Sequence, residues 1–137
     1  MKILGIEHVA IATHSLEEFA PFWRDILGIR NRRREILESE GVTIDIYDTG
    51  NGKIEFLTEY GENSTITKFL AKKDTTIHHL CLEVDDITDA VKEFRQKGIR
   101  IVNEDPQRGA EGYSVVFIHP ESTGGVLVEL CQKSRII

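Results

Sequence analysis

Two histidines and two glutamates occupy matched places in this chain, and together they form a donor set for a transition metal. His8 stands in Ile6-Glu7-His8-Val9-Ala10, and His79 in Ile77-His78-His79-Leu80-Cys81. Glu55 follows His8 by 47 residues and Glu129 follows His79 by 50, each with apolar neighbours on both sides. Two imidazoles and two carboxylates suit a divalent ion. On an octahedral ion such a set leaves two positions for water or substrate, the arrangement that a Lewis-acid catalyst needs. A single histidine in an apolar strand is more often structural, and a single glutamate there more often faces solvent. The matched placement of all four favours the metal, with a pseudo-twofold relation bringing the pairs to one centre.

The matching comes from an internal repeat. Residues 6–16 read IEHVAIATHSL and residues 77–87 read IHHLCLEVDDI. Each begins Ile-x-His and continues with alternating apolar residues, the pattern of a half-buried strand. A helix-like segment follows each copy. Ser15-Leu16-Glu17-Glu18 has the form of a capping box, with Leu16, Phe19, Trp23, Ile26 and Leu27 at helical spacing before Gly28. In the second copy Asp85 or Asp86 can cap, Ile87, Ala90, Val91 and Phe94 supply the stripe, and Gly98 ends it. Strand pairs come next. Residues 42–47 and 53–57 flank Gly50-Asn51-Gly52, a hairpin signal. Residues 113–118 and 126–131 flank the loop His119–Gly125.

The expected fold class is therefore α+β: two paired βαβββ modules forming a curved, mostly antiparallel sheet around a central metal site. The chain reads as a single domain over 1–137, with module one at about 1–60, a linker helix at about 61–75 and module two at about 76–137. Cys81 and Cys131 lie two residues past proposed ligands but match Ala10 and Leu57 in the repeat, so packing is their reading. His78 alternates to the other strand face, His14 reads as surface, and Arg32-Arg33-Arg34 as a solvated strand edge.

Composition narrows the function classes. The chain has 137 residues, 40% of them hydrophobic, with 17 Lys+Arg against 23 Asp+Glu and a net charge of −6. Such an acid balance argues against general nucleic-acid binding, which rests on cationic contacts to phosphate. No apolar run approaches the roughly 20 residues of a membrane helix. Two cysteines are too few for a disulfide framework, and no targeting segment is visible, so a cytoplasmic protein is expected.

Paired modules with His and Glu on the strands resemble the vicinal oxygen chelate superfamily, over essentially the whole chain. Locally, His119-Pro120-Glu121-Ser122-Thr123-Gly124-Gly125-Val126-Leu127-Val128-Glu129-Leu130 is similar to the HPKSTGGVLIEL segment of methylmalonyl-CoA epimerases. Ile77-His78-His79-Leu80, with Glu83-Val84-Asp85-Asp86-Ile87, resembles their GIHHI…EVDDI stretch, and Ile66-Thr67-Lys68-Phe69-Leu70 their linker helix.

The resemblance implies an isomerase that epimerises C2 of methylmalonyl-CoA through an enolate, dependent on one divalent metal ion: cobalt, nickel, manganese, zinc or iron. It implies His8, Glu55, His79 and Glu129 as ligands, and Glu129 also as one acid/base. Ser122, Thr123, Gly124 and Gly125 would meet the acyl group, an acyl-coenzyme A would be the partner, and the chain would form a homodimer. Lys68, Lys72, Lys73 and Arg108 are loose candidates for the coenzyme phosphates. Some members carry a second base three residues after the Gly of a QGVxE-like segment. Here Gly41 leads to Ile44, and the second base stays open among Asp45, Glu38 and Glu40. A glyoxalase I-like lactoylglutathione lyase is the alternative that shares these ligands, but its DPDGxxIEL-like ending is absent. A metal-free small-molecule-binding protein would not need the four ligands, and an extradiol dioxygenase would use only three.

Overall fold

The structure is a computed structural model and describes residues 1–133, so the end of the expected second module lies outside the described residues. Among the described residues there are eight strands: β1 (Ile3–Ala12), β2 (Arg30–Leu37), β3 (Val42–Asp48), β4 (Lys53–Glu59), β5 (Thr76–Val84), β6 (Gln107–Arg108), β7 (Ser114–Ile118) and β8 (Val128–Gln132). Two α-helices are present among the described residues, α1 (Thr67–Lys72) and α2 (Ile87–Gln96).

The chain divides into two compact units, His8–His78 and a second made of Met1–Glu7 with the chain from His79 onward. β1 and β5 each begin in one unit and end in the other. In the first unit the strand order is β2-β3-β4-β1. β2 pairs antiparallel with β3, β3 antiparallel with β4, and β4 parallel with β1. In the second unit the order is β6-β7-β8-β5, with the same sequence of antiparallel, antiparallel and parallel pairings. The βαβββ repeat is thus a repeat of topology as well as of sequence.

Each unit has one face under a crossover segment. In the second unit α2 starts at Asp86, whose side chain accepts from the Asp89 N–H at 3.0 Å. That bond satisfies one of the orphan donors of the first turn. Ile87, Ala90 and Val91 then pack on Val84, Val116, Ile118 and Leu130. Full burial of an Ile or Val side chain contributes about 1.5–3 kcal/mol relative to exposure.

The matching crossover in the first unit departs from expectation. Ser15 does not cap a helix; its N–H donates to Thr13 Oγ1 at 3.3 Å. A single π-helical segment runs over Pro21–Ile26, with Ala20 ahead of it and no side-chain cap. Pro21 explains the late start: it has no N–H, and its ring clashes with a preceding helical turn, so a helix is admitted only from the proline onward. Trp23 still reaches the sheet, packing edge-on against Phe56 with ring centroids 5.2 Å apart.

β8 also starts later than the apolar run from Val126 suggests. The Thr123 hydroxyl donates to the Val126 carbonyl, and the Gly125 N–H donates to the Pro120 carbonyl at 2.9 Å. These bonds keep Val126 in the loop and leave Val128 to open the ladder.

Candidate functional site

Strand alternation sorts the chemistry-bearing residues onto one face of each unit. In the β1–β4 ladder Ala10 is the partner of Glu55 and His8 the partner of Lys53. In the β5–β8 ladder Cys81 is the partner of Glu129. In both ladders the carboxylate therefore stands opposite the residue two past the histidine. Side chains two apart share a face, so each histidine and its glutamate lie on the same side.

The side-chain geometry repeats too. His8 Nδ1 lies 3.1 Å from Glu55 Oε2, and His79 Nε2 lies 3.1 Å from Glu129 Oε1. All four residues are buried, with exposures of 6%, 3%, 5% and 7% for His8, Glu55, His79 and Glu129. A carboxylate removed from water needs a compensating charge or hydrogen bonds. Each of these has an imidazole nitrogen beside it, and the borderline N/O donors of both pairs suit a divalent ion. The residues present therefore fit a metal.

In the second unit the surroundings of the pair are apolar and soft. The Phe117 ring meets the His79 ring edge-on at 5.3 Å, and Phe117 is the ladder partner of Glu129. Cys81 and Cys131 are both free and buried, packed with Val115 and Tyr113. Hydrogen bonding to Cys131, then burial, pushes the Cys81 thiol up, so it is no ready nucleophile.

The proposed second bases fare differently. Asp45 is the ladder partner of Phe56, while Glu55 is the partner of Ile46, with no register shift in that ladder. Asp45 thus lies on the sheet face opposite Glu55. Arg34 grips it through both oxygens, Nε to Oδ1 at 2.6 Å and Nη2 to Oδ2 at 2.9 Å. The two carboxylates Asp45 and Glu17 hold the Arg34 guanidinium firmly protonated. Glu38 and Glu40 sit in the turn between β2 and β3, where the Gly41 N–H donates to the Glu38 carbonyl at 3.1 Å. Ile44, three residues after Gly41, is buried at 3% exposure.

The loop before β8 uses its hydroxyls on itself. Ser122 Oγ accepts from the Arg100 N–H at 3.1 Å, and Thr123 Oγ1, whose proton goes to the Val126 carbonyl, lies 3.2 Å from the Pro120 carbonyl. Gly124 and Gly125 are exposed, with φ of 80° and 103° that a side chain would strain. His14 is exposed and its Nε2 lies 3.1 Å from the Leu70 carbonyl, while the His78 ring packs edge-on against Phe69 at 4.8 Å. Lys68, Lys72, Lys73 and Arg108 are all exposed.

One residue of the site face carried no sequence expectation. Lys53 lies two before Glu55 on β4 and is only 8% exposed. The signal was available: Lys53-Ile54-Glu55-Phe56 alternates, and that alternation puts Lys53 and Glu55 on one face.

Residues 7–117 match the family model described as the glyoxalase/bleomycin resistance protein/dioxygenase superfamily, and the chain belongs to that superfamily. Within it the chain groups with the methylmalonyl-CoA epimerases. A mouse protein named methylmalonyl-CoA epimerase, mitochondrial, is 42% identical over 96% of this chain and 74% of its own length. A Cereibacter sphaeroides protein named ethylmalonyl-CoA/methylmalonyl-CoA epimerase is 40% identical over 93% of this chain and 96% of its own. A methylmalonyl-CoA epimerase solved in complex with methylmalonyl-CoA and NH4+ shares 29% identity and superposes with a TM-score of 0.90, over 98% of both chains.

Proposed function

We propose that this chain is an isomerase that epimerises C2 of methylmalonyl-CoA in a metal-dependent reaction through an enolate. The observation that carries the reading is the duplicated His–Glu pair, buried and in equal register in both units. Relatives named for this activity at 40–42% identity support the same conclusion.

His8, Glu55, His79 and Glu129 would hold one divalent ion: cobalt, nickel, manganese, zinc or iron. When bound, the ion polarises the thioester carbonyl and so lowers the cost of removing the C2 proton. Glu129 takes or returns that proton, as a carboxylate buried beside His79 on the face that carries the proposed ligands. Phe117 excludes water from that pair. The backbone around Gly124 and Gly125 gives the acyl chain close approach where no Cβ intervenes, and the Ser122 hydroxyl, accepting from Arg100, keeps its proton to donate. Asp45 takes no part, since it faces away and is bound by Arg34.

The enzyme works in the cytoplasm as a homodimer in this reading. Two free thiols agree with a reducing compartment, and Ile3, Leu4 and Ile6 expose 49%, 57% and 61% of their surface along β1, as an interface strand does. No helix among the described residues is long and apolar enough to cross a membrane.

The test is solvent deuterium uptake at C2 of methylmalonyl-CoA, with and without added divalent metal, for the wild type and His79→Ala. Exchange that depends on metal and is lost in the variant supports the reading. No exchange with any of the five metals overturns it.

A further inference from the structure

One apolar side chain shares a face with the His79–Glu129 pair and stands against both members. Phe117 is the ladder partner of Glu129, and its ring meets the His79 ring edge-on with centroids 5.3 Å apart. All three residues belong to the second unit. The neighbours Val116 and Ile118 point the other way, into the core under α2, so alternation turns Phe117 toward the pair. The next row along the same face is packed shut: Val115 is the ladder partner of Cys131, and both are buried with Cys81. Phe117 is half-buried, whereas His79, Glu129, Cys81, Cys131 and Val115 are buried. Its ring is therefore the apolar surface that a molecule approaching Glu129 in this unit meets.

The backbone fixes where that ring stands. The Val102 N–H donates to the Phe117 carbonyl at 2.8 Å, and the Phe117 N–H donates to Asn103 Oδ1 at 3.1 Å. Both polar groups of the Phe117 backbone are thus engaged on the side away from β8. That makes Phe117 and Glu129 a non-hydrogen-bonded pair of the antiparallel ladder, the kind with Cα atoms about 4.5 Å apart and side chains closest. A base must come within about 3.2 Å of the atom whose proton it takes. Glu129 in that role brings C2, and the alkyl group on C2, into van der Waals range of a ring that cannot retreat without breaking these bonds. Resting on the functional reading above, we infer that Phe117 sets the largest alkyl group the substrate can carry at C2: a methyl fits against the ring, and a longer chain collides with it.

The test compares kcat/KM for C2 deuterium exchange of methylmalonyl-CoA and of its 2-propyl homologue. The proteins are the metal-loaded wild type, Phe117→Leu, Phe117→Ala and Phe117→Trp, with thermal melts to check folding. The readout is the propyl-to-methyl ratio, because a change that merely loosens His79 and Glu129 lowers both rates together. F117L and F117A should raise the ratio by about 10- to 200-fold, the discrimination that a methylene commands in an apolar pocket, with F117A above F117L. F117W should lower it. A ratio within about twofold of the wild type in both F117L and F117A overturns the assignment and leaves the epimerase reading intact, as does a wild type that turns over both thioesters equally well. If F117A does not fold, F117L decides by the same ratio. A wild-type protein that exchanges neither thioester defeats the functional reading and this one with it.

Discussion

His79 Nε2 stands 3.1 Å from Glu129 Oε1, with both side chains under 10% exposed. A buried imidazole–carboxylate contact of this kind can serve a metal or a proton, and Glu129 is assigned both tasks. Glu129→Gln keeps an oxygen donor and removes the basic group. The expected outcome is a loss of C2 exchange of about 10²- to 10⁴-fold, the usual range for an acid/base group. Deuterium uptake by mass spectrometry measures it, and exchange within tenfold of the wild type at saturating metal would remove the acid/base role.

Glu55 is expected to act as a ligand alone. Glu55→Gln should weaken metal binding by roughly 10- to 100-fold while most turnover returns at saturating metal. Metal titration followed by activity and by competition with a chelating dye separates the two effects. A turnover loss that metal cannot restore would give Glu55 a part in proton transfer.

Asp45 was the nearest sequence candidate for a second base, and its pairing with Arg34 makes it structural. Asp45→Asn should leave exchange unchanged and lower stability by about 1 kcal/mol, since Asp45 is buried but its partner Arg34 is half exposed and screened by solvent. Urea unfolding beside the exchange assay checks both halves. Lost exchange in a variant that is still folded would return Asp45 to the mechanism.

Lys133 gives the protein an alkaline limit. Burial pulls its ammonium down, but the hydrogen bond and charge of Glu7, 2.8 Å away, together with Glu83, outweigh that and hold it above the ordinary lysine value. A raised folded-state value means the pair stabilises fully below the unfolded lysine pKa of about 10.4 and is lost as pH rises through the folded value. The urea midpoint of the wild type should fall across that alkaline window, and Lys133→Met should show a smaller fall there. Parallel curves for the two proteins would contradict the coupling.

Cys81 and Cys131 should be silent toward an aromatic disulfide reagent in the folded protein and react together on unfolding. Rapid labelling of either thiol under native conditions would mean that the Val115–Tyr113 packing around them opens.

Much of this arrangement was legible before any coordinates. Period-two alternation around His8, His79, Glu55 and Glu129 was enough to place each on a strand face, because a one-residue slip would turn every side chain over. The cap of α2 was legible only as Asp85 or Asp86, and the structure gives it to Asp86. The crossover before Gly28 was less legible. Its apolar spacing promised a helix from Ser15, but spacing does not register that Pro21 forbids the turn ahead of it. The loop hydroxyls of Ser122 and Thr123 were read toward a ligand; their bonds to Arg100, Pro120 and Val126 depend on backbone geometry that residue types do not carry. Lys53 was overlooked because a lysine near a Gly-Asn-Gly turn looks like surface, and only its burial says otherwise.

The N-terminal stretch has a bearing on how this protein can be cut. Residues 1–7 belong to the unit of the later repeat. Lys2 and Asp85 exchange bonds, with the Lys2 N–H donating to Asp85 Oδ1 at 2.6 Å and the Asp85 N–H to the Lys2 carbonyl at 3.2 Å. Glu7 answers Lys133 in the same unit. The boundary between repeats along the chain is therefore not a seam in space. A half-length fragment starting near residue 76 would lose these partners, stripping Asp85 of its Lys2 bonds and leaving Lys133 with the more distant Glu83, whereas adding residues 1–7 back as a separate peptide should restore part of its order. Dissection of this protein succeeds or fails on whether the scissors respect that borrowed strand end.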